Sequence, residues 1–315
     1  MGRVGEYPRR ACPSCGADSL SHSAVVSHPS ALGLPFDELR RHWHGFFQER
    51  VFFPYGRCAE CGQVYCPVYF SARQLEELYA DMPDNTAGVD ESALRRTQGR
   101  YAAILRRSAP LGGDYLELGP DIGLLTEQAV HGRDAAILYL FEPNRAVWPI
   151  LEERLGAGRC RLSAEMEDYA DVPDGSVGTA AMIHVLDHVL DPRDLLGRLV
   201  PKLAPGGALA VVTHDESSLM ARALGSRWLP YCLQHPQLYR PGTLAGALQR
   251  AGLEVVTQEK TRNDFPTAYL AKHGLSAAGL PHDWIPDVRR PTLGLKLGNV
   301  ITVARRAGPA TPTPN

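Results

Sequence analysis

LELGPDIGLLTEQA, Leu116 to Ala129, is the stretch on which the reading of the fold turns. A short apolar run, Tyr115 with Leu116 and Leu118, enters two glycines four positions apart, Gly119 and Gly123, and a helical run follows at once. Strand, glycine turn, helix is the arrangement in which backbone amides at a helix start hold a ligand beyond the end of a sheet. A dinucleotide loop wants GxGxxG, whose glycines let a pyrophosphate close on the helix. Here Pro120 and Asp121 fill the loop, no third glycine stands at the required place, and Glu117 lies inside the strand. A carboxylate there repels phosphate, whereas it can help order the loop around an ammonium group. Taken alone, such a turn also arises by chance without any ligand.

The surroundings repeat the pattern. SALRRTQGRYAAILRRSA, with Leu94, Tyr101, Ile104 and Leu105 at helical spacing, predicts a helix leading into the core. Strand-like runs then alternate with helical ones: DYLELG, AAILYLFEP, CRLSAEMED, TAAMIHVL, GALAVVTHD, AGLEVV and NVITVARR, separated by LLTEQAV, RAVWPILEERL and PRDLLGRLVPKL. Buried strands divided by helices predict an α/β fold: a doubly wound, mostly parallel, seven-stranded Rossmann-like sheet over residues 90–306. Ligands of such sheets bind beyond the carboxyl ends of the strands, where the opening motif stands. The second strand ends at Glu142, followed by Pro143 and Asn144, 19 residues beyond Gly123. That spacing suits a carboxylate accepting from both ribose hydroxyls; a solvated loop glutamate is the alternative. At the end of the third strand, Glu165 can accept from an adenine amine while the Met166 thioether packs on its face.

The front of the chain reads differently. Cys12 and Cys15 (CPSC) pair with Cys58 and Cys61 (CAEC), each knuckle followed by a glycine, Gly16 or Gly62. Four thiolates in two tight turns predict one structural zinc in a domain over residues 1–89, with no open position for substrate. Unrelated buried thiols or disulfides are the alternative, and a reducing compartment favours the metal. The run FFQERVFF is expected as the strand delivering the second knuckle. His42 and His44 are read as surface or substrate-facing, and Cys66, Cys160 and Cys232 as ordinary buried thiols.

Farther along, PDGS…HVLDHVLDP followed by LAPGGALAVV resembles, in that order, segments of class I S-adenosylmethionine-dependent methyltransferases. The spacing ExGxxxG from Glu117 to Gly123 is similar to their cofactor loop. CAECGQVYCPVYFSARQLEELYAD resembles the front of zinc-ribbon-bearing bacterial members, and SSLMARALGSRWLPYCLQHPQLYRPGTLAGALQRAGLEVV their back end. The resemblance spans about residues 12 to 260. Two positions depart from it: Asp121 replaces a glycine, and Gly178 stands where an aspartate usually opens the fourth strand.

The resemblance implies S-adenosylmethionine as cofactor, held by Glu117, Gly119, Pro120, Asp121, Gly123, Glu142, Pro143, Asn144, Glu165, Met166 and His184. It implies methyl transfer to a small molecule, such as a natural-product or sugar intermediate, with a histidine taking the acceptor's proton. His188 and His235 are the candidates, the second because its segment resembles the family's substrate-facing cover. Asp187 is expected to cap a helix start, and His184 with His188 forms a His-x-x-x-His pair lacking a third ligand. Covers are expected at about 214–250 and 261–298, where Phe265, Tyr269 and Trp284 can wall the acceptor or merely elaborate the surface. Residues 307–315 read as a disordered tail. Two other readings are a methyltransferase fold using its bound cofactor for non-methylating chemistry such as cyclisation, and a zinc-ribbon scaffold with a degenerate cofactor domain.

Composition fits a soluble, cytoplasmic enzyme. Over 315 residues, 44% are hydrophobic and 22% charged, with a formal net charge of −2. That balance gives no sign of a nucleic-acid or membrane partner. MGRVGEYPRR has no apolar signal core, and no run approaches the roughly 18 apolar residues a bilayer span needs.

Overall fold

The computed structural model describes residues 6–43, 51–80, 90–109, 112–132, 136–286 and 288–308. The front unit contains strand β1 (Leu20–Val25), helix α1 (Phe36–His42), strands β2 (Tyr55–Cys58) and β3 (Val64–Tyr65), and helix α2 (Ala72–Ala80). The strand carrying Cys58 is therefore YGRC, not FFQERVFF. Val51, Phe52 and Phe53 are buried but extended outside any ladder, because their side chains fill an aromatic core instead of alternating across a sheet. The earlier part of that run, and His44, lie outside the described residues.

Helix α3 (Glu91–Ser108) leads into the central sheet, with Asp90 capping it and Tyr101, Ile104 and Leu105 buried as its spacing predicts. The sheet is built from β4 (Asp114–Leu118), β5 (Leu138–Phe141), β6 (Cys160–Ser163), β7 (Val177–Ile183) and β8 (Leu203–His214). Strand β9 (Gln237–Leu238) belongs elsewhere, and β10 (Leu253–Lys260) with β13 (Asn299–Arg306) completes the sheet. A separate hairpin, β11 (Asn263–Pro266) and β12 (Thr292–Leu295), lies between them in sequence. The seven strands run β10-β13-β8-β7-β4-β5-β6, and β13 alone is antiparallel to its neighbours. This is the α/β, Rossmann-like architecture of class I methyltransferases.

Period-two alternation sends side chains to two cores. Tyr115, Leu138, Leu140, Ala210 and Ile301 face α3, α4 (Leu124–Val130) and α5 (Trp148–Leu155). Leu116, Leu118, Phe141, Met182 and Val211 face α6 (Pro192–Leu199) and α8 (Pro241–Arg250). Fully burying aliphatic chains of this size contributes roughly 2 kcal/mol each, so two such layers account for the sheet's place at the centre. Gly178 explains the missing aspartate. A Cβ there would collide with the Gly112 carbonyl oxygen, so only glycine fits where the two segments cross.

The region 214–250, expected as one cover, divides in two. Helix α8 packs against the sheet through Leu244 and Leu248, as a layer element. Residues from α7 (Leu219–Leu224) to β9 instead join the front unit. β9 is the fourth strand of the sheet β1-β2-β3-β9, and Trp228, Tyr231 and Leu233 share one core with Tyr7, Trp43, Phe52, Phe53, Tyr55 and Phe70. The second expected cover holds the β11–β12 hairpin and α9 (Thr267–Ala278), and Asp264 fastens it to α3 through Arg96 and Arg100. Trp284 is 73% exposed and lies on the surface rather than walling a pocket. Phe265 and Tyr269 stack on each other with centroids 5.6 Å apart.

Candidate active site

The loop after β4 forms because Gly119, Asp121 and Gly123 all take positive φ, +66°, +52° and +76°. Asp121 is thus a non-glycine residue in left-handed geometry, which Asp and Asn tolerate best through local hydrogen bonds. At Gly123 a Cβ would lie 2.8 Å from Leu151, so glycine is also needed there for close approach of α5. The Asp121 amide donates to Glu142 Oε2 at 2.9 Å, and the Asn144 amide to Glu142 Oε1 at 2.9 Å. Glu142 is therefore no solvated loop residue; it is buried at the strand end, where the loop meets it. Pro143 and Asn144 are exposed beside it, and Asn144 caps the following turn by accepting from the Ala146 amide.

Glu117 is buried directly beneath the loop. Its Oε2 accepts from Tyr115 Oη at 2.7 Å and from Thr126 Oγ1 at 2.6 Å, tying β4 to α4. Burial, reinforced by the nearby charges of Glu142 and Asp121, raises its pKa to about 7. Three carboxylates thus crowd one loop, an electrostatic setting that favours a cationic ligand. Glu165 and Met166 follow the end of β6 in a turn. Glu165 is exposed, and Met166 packs against the core cluster on the α6 side.

Next to the loop, beyond β7 and β8, four histidines converge. The His184 and His214 ring centroids lie 4.4 Å apart, those of His214 and His235 4.9 Å, and those of His188 and His235 4.6 Å. The run after β7 is a turn, not the expected helix; α6 begins at Pro192, where Asp191 accepts from the amides of Arg193 and Asp194. Pro at the first helical position behind an Asp cap fixes that start. Asp187 consequently caps nothing. It is fully buried and accepts from His214 Nδ1 at 2.8 Å and from the His214 amide at 3.1 Å. His235 Nδ1 donates to the Pro230 carbonyl at 2.7 Å, which assigns the proton to that nitrogen and leaves Nε2 with its lone pair.

Burial depresses the pKa of all four imidazoles, His184 to about 3, and raises Asp187 to about 6. Crowding of the rings adds to the depression at His184, His188 and His214, since one imidazolium disfavours the next. The cluster is a set of neutral lone pairs beside one carboxylate.

The front unit holds this cluster in place. Tyr55 Oη donates to the His235 carbonyl at 2.6 Å, and Gln234 Nε2 to the Trp43 carbonyl at 3.0 Å. Buried Gln237 donates to the carbonyls of Leu186 and Val189, fixing the turn that carries Asp187 and His188. Tyr79, from α2, meets His188 Nδ1 at 3.3 Å. His42 stands apart in the last turn of α1.

At the front, Sγ of Cys12 is 3.5 Å from that of Cys61, and Sγ of Cys15 is 3.6 Å from that of Cys58. All four lie within 4.8 Å of one another. Tetrahedral Zn–S bonds of about 2.3 Å place sulfurs about 3.8 Å apart, so the donor set and spacing fit one zinc. Gly16 and Gly62 take φ +79° and +75°, and their amides donate to the carbonyls of Cys12 and Cys58, closing each knuckle.

Sequence reasoning brought Glu117, Asp121, Glu142, His184, His188 and His235 to one end of the sheet, but missed His214 and misread Asp187. The missing signal was available: VVTHD ends β8 with a histidine at the strand's carboxyl end, where ligands gather.

Residues 93–258, just over half of the chain, match the family described as "Methyltransferase domain". No curated protein sequence matches the chain. Among solved structures, a complex of the Haloferax volcanii Trm112 methyltransferase activator with its methyltransferase partner is similar at TM-score 0.52 and 14% identity, covering 72% of this chain and 100% of that one. The cyclase SpnF reaches TM-score 0.45 at 16% identity, covering 67% and 82%. A methyltransferase from Bacillus halodurans C-125 reaches 0.47 at 13% identity, covering 65% and 98%.

Proposed function

This chain belongs to the methyltransferase-domain family, and from that premise we propose that it methylates a small molecule held against the histidine cluster, using S-adenosylmethionine bound on the Gly119–Gly123 loop. The observation carrying the proposal is the grouping of Glu117, Asp121 and Glu142 at the loop, beside a cluster of neutral imidazoles. Three carboxylates disfavour a pyrophosphate and favour a ligand bearing an ammonium and a sulfonium.

When bound, the cofactor supplies an electrophilic methyl carbon. The loop amides and Glu142 orient its amino-acid and ribose ends. The amides of Asp121 and Asn144 hold the Glu142 carboxylate still, in position to accept from ribose hydroxyls. His235 receives the acceptor's proton at Nε2, because the Pro230 carbonyl occupies Nδ1–H and fixes the tautomer. His188 lines the acceptor side next to His235, and His184 lines the junction between cofactor and acceptor. Burial excludes water from the reacting atoms, which must approach within about 3 Å.

Cys12, Cys15, Cys58 and Cys61 hold a structural zinc in this reading. Its role is indirect: the same unit supplies Tyr55, Gln237 and Tyr79, which fasten the loops bearing His235 and His188. That arrangement favours a scaffold for the acceptor cleft over a nucleic-acid reader.

The test is transfer of isotope-labelled methyl from S-adenosylmethionine into a small-molecule metabolite extract, followed by mass spectrometry. Label in discrete small molecules, lost in His235→Gln with cofactor binding retained, supports the proposal. Label confined to protein or RNA contradicts it.

A further inference from the structure

The turn after β7 and the end of β8 bring together two imidazoles and a carboxylate that proton removal by His235 leaves without a task. Donor atoms of His184, Asp187 and His214 all lie within 4.8 Å of one another. His184 takes φ +54°, a left-handed conformation costing a residue with a Cβ on the order of 1 kcal/mol. Its amide is nevertheless fixed there by the Val212 carbonyl at 2.9 Å. Two polar atoms of the trio, Nδ1 of His184 and Oδ1 of Asp187, are buried with no hydrogen-bond partner among the described residues. Burying such a group unmet costs roughly 1–3 kcal/mol, more when it is charged. Both atoms belong to one small cluster, so a single missing ligand would satisfy both.

We propose that His184, Asp187 and His214 form a binding site for one divalent transition-metal ion within the histidine cluster. Its role in catalysis rests on the reading that the acceptor is held against this cluster. Two imidazoles and one carboxylate are the donors of zinc, cobalt and ferrous sites, whereas magnesium and calcium call for oxygen ligands. Bonds of about 2.1 Å set donors about 3–4 Å apart, so the trio needs a contraction on the order of 1 Å. Asp187 already holds His214 at 2.8 Å, and the β8 backbone fixes where that pair stands. Three protein donors leave at least one coordination position open. His235 stands next to it, 4.9 Å from the His214 ring, and His188 beyond. The acceptor class that fits is an oxygen-bearing small molecule whose oxygen takes the open position, which orients it for proton loss to His235. The site also gives the pair His184 and His188 a different meaning from their spacing. His184 finds its fellow ligands in Asp187 and His214, and His188 turns to Tyr79 and His235.

The experiment loads the full chain with zinc at its thiolate site and titrates Co²⁺ by calorimetry and visible absorption. The expected result is one additional Co²⁺ per chain, with ligand-field bands but no new thiolate charge transfer. His214→Gln and Asp187→Asn should each weaken that uptake at least tenfold. In the same samples S-adenosylhomocysteine affinity should stay within twofold, showing that the variants are folded. No additional Co²⁺ in the folded wild type, or uptake by folded His214→Gln equal to wild type, overturns the proposal. Cobalt uptake decides the ion site; S-adenosylhomocysteine binding decides the cofactor reading separately.

Discussion

The backbone amide of Asp121 donates to the carboxylate of Glu142 at 2.9 Å, joining the left-handed residue of the β4 loop to the end of β5. One contact thus sets the loop's shape and the aim of the carboxylate. Asp121→Gly should keep cofactor affinity within a few-fold, because glycine adopts φ +52° freely. Asp121→Val should cost about 1–2 kcal/mol in denaturant unfolding, since a β-branched residue is strained there. Equal stability of the two variants would refute the loop assignment.

If the loop holds the proposed cofactor, Glu117 should make its binding depend on pH. Its pKa of about 7 lies above the ordinary 4.5, so the fold favours the protonated form. Stability from this group is therefore full below pH 4.5, falls as pH rises towards 7, and is lowest above it. A cationic ligand on the loop favours the carboxylate, so binding should release a proton near pH 7 and tighten between pH 6 and 8. Calorimetry in buffers of different ionisation enthalpy measures that proton, and Glu117→Gln should abolish the release.

Restoring the family's aspartate at position 178 should harm this chain. A Cβ at Gly178 would collide with the Gly112 carbonyl oxygen. Gly178→Asp should destabilise the fold by about 3 kcal/mol, the upper part of the overpacking range, seen as a lowered thermal midpoint. An unchanged midpoint would show that the 112–113 crossing relaxes without cost.

The cysteine knuckles carry a prediction for a distant site. Metal analysis should find one zinc per chain, and Cys58→Ser should lower the metal content and loosen the aromatic core that holds Tyr55 and Gln237. Hydrogen exchange should then rise at 231–238 as well as around the cysteines. Full protection at 231–238 after zinc loss would separate the two regions.

The sheet was legible because its strands are short apolar runs separated by helical ones, and because alternation along β4 and β5 sends successive side chains to the two cores. The glycine loop and its contact with Glu142 were legible for a related reason: ExGxxxG and Glu142 are local signals on consecutive strands. The full histidine cluster was not. Asp187 looked like a helix cap because Pro192, five residues on, decides where α6 begins. His214 is one histidine at a strand end, and only the sheet order β8-β7-β4 brings it to Asp187. The partnership of Tyr55 with His235 spans 180 residues, a distance at which no periodicity speaks. For Trp284 the sequence left two readings open, and its exposure selects the surface one, since aromatic content alone does not say which way a loop faces.

The account stands most directly on one titration: S-adenosylmethionine, then S-adenosylhomocysteine, into the full chain by calorimetry, beside Glu142→Ala. It predicts that both ligands bind one per chain at micromolar levels and that Glu142→Ala weakens each at least tenfold, as loss of charge-assisted hydrogen bonds to both ribose hydroxyls requires. No binding of either ligand to the folded wild-type chain would contradict it.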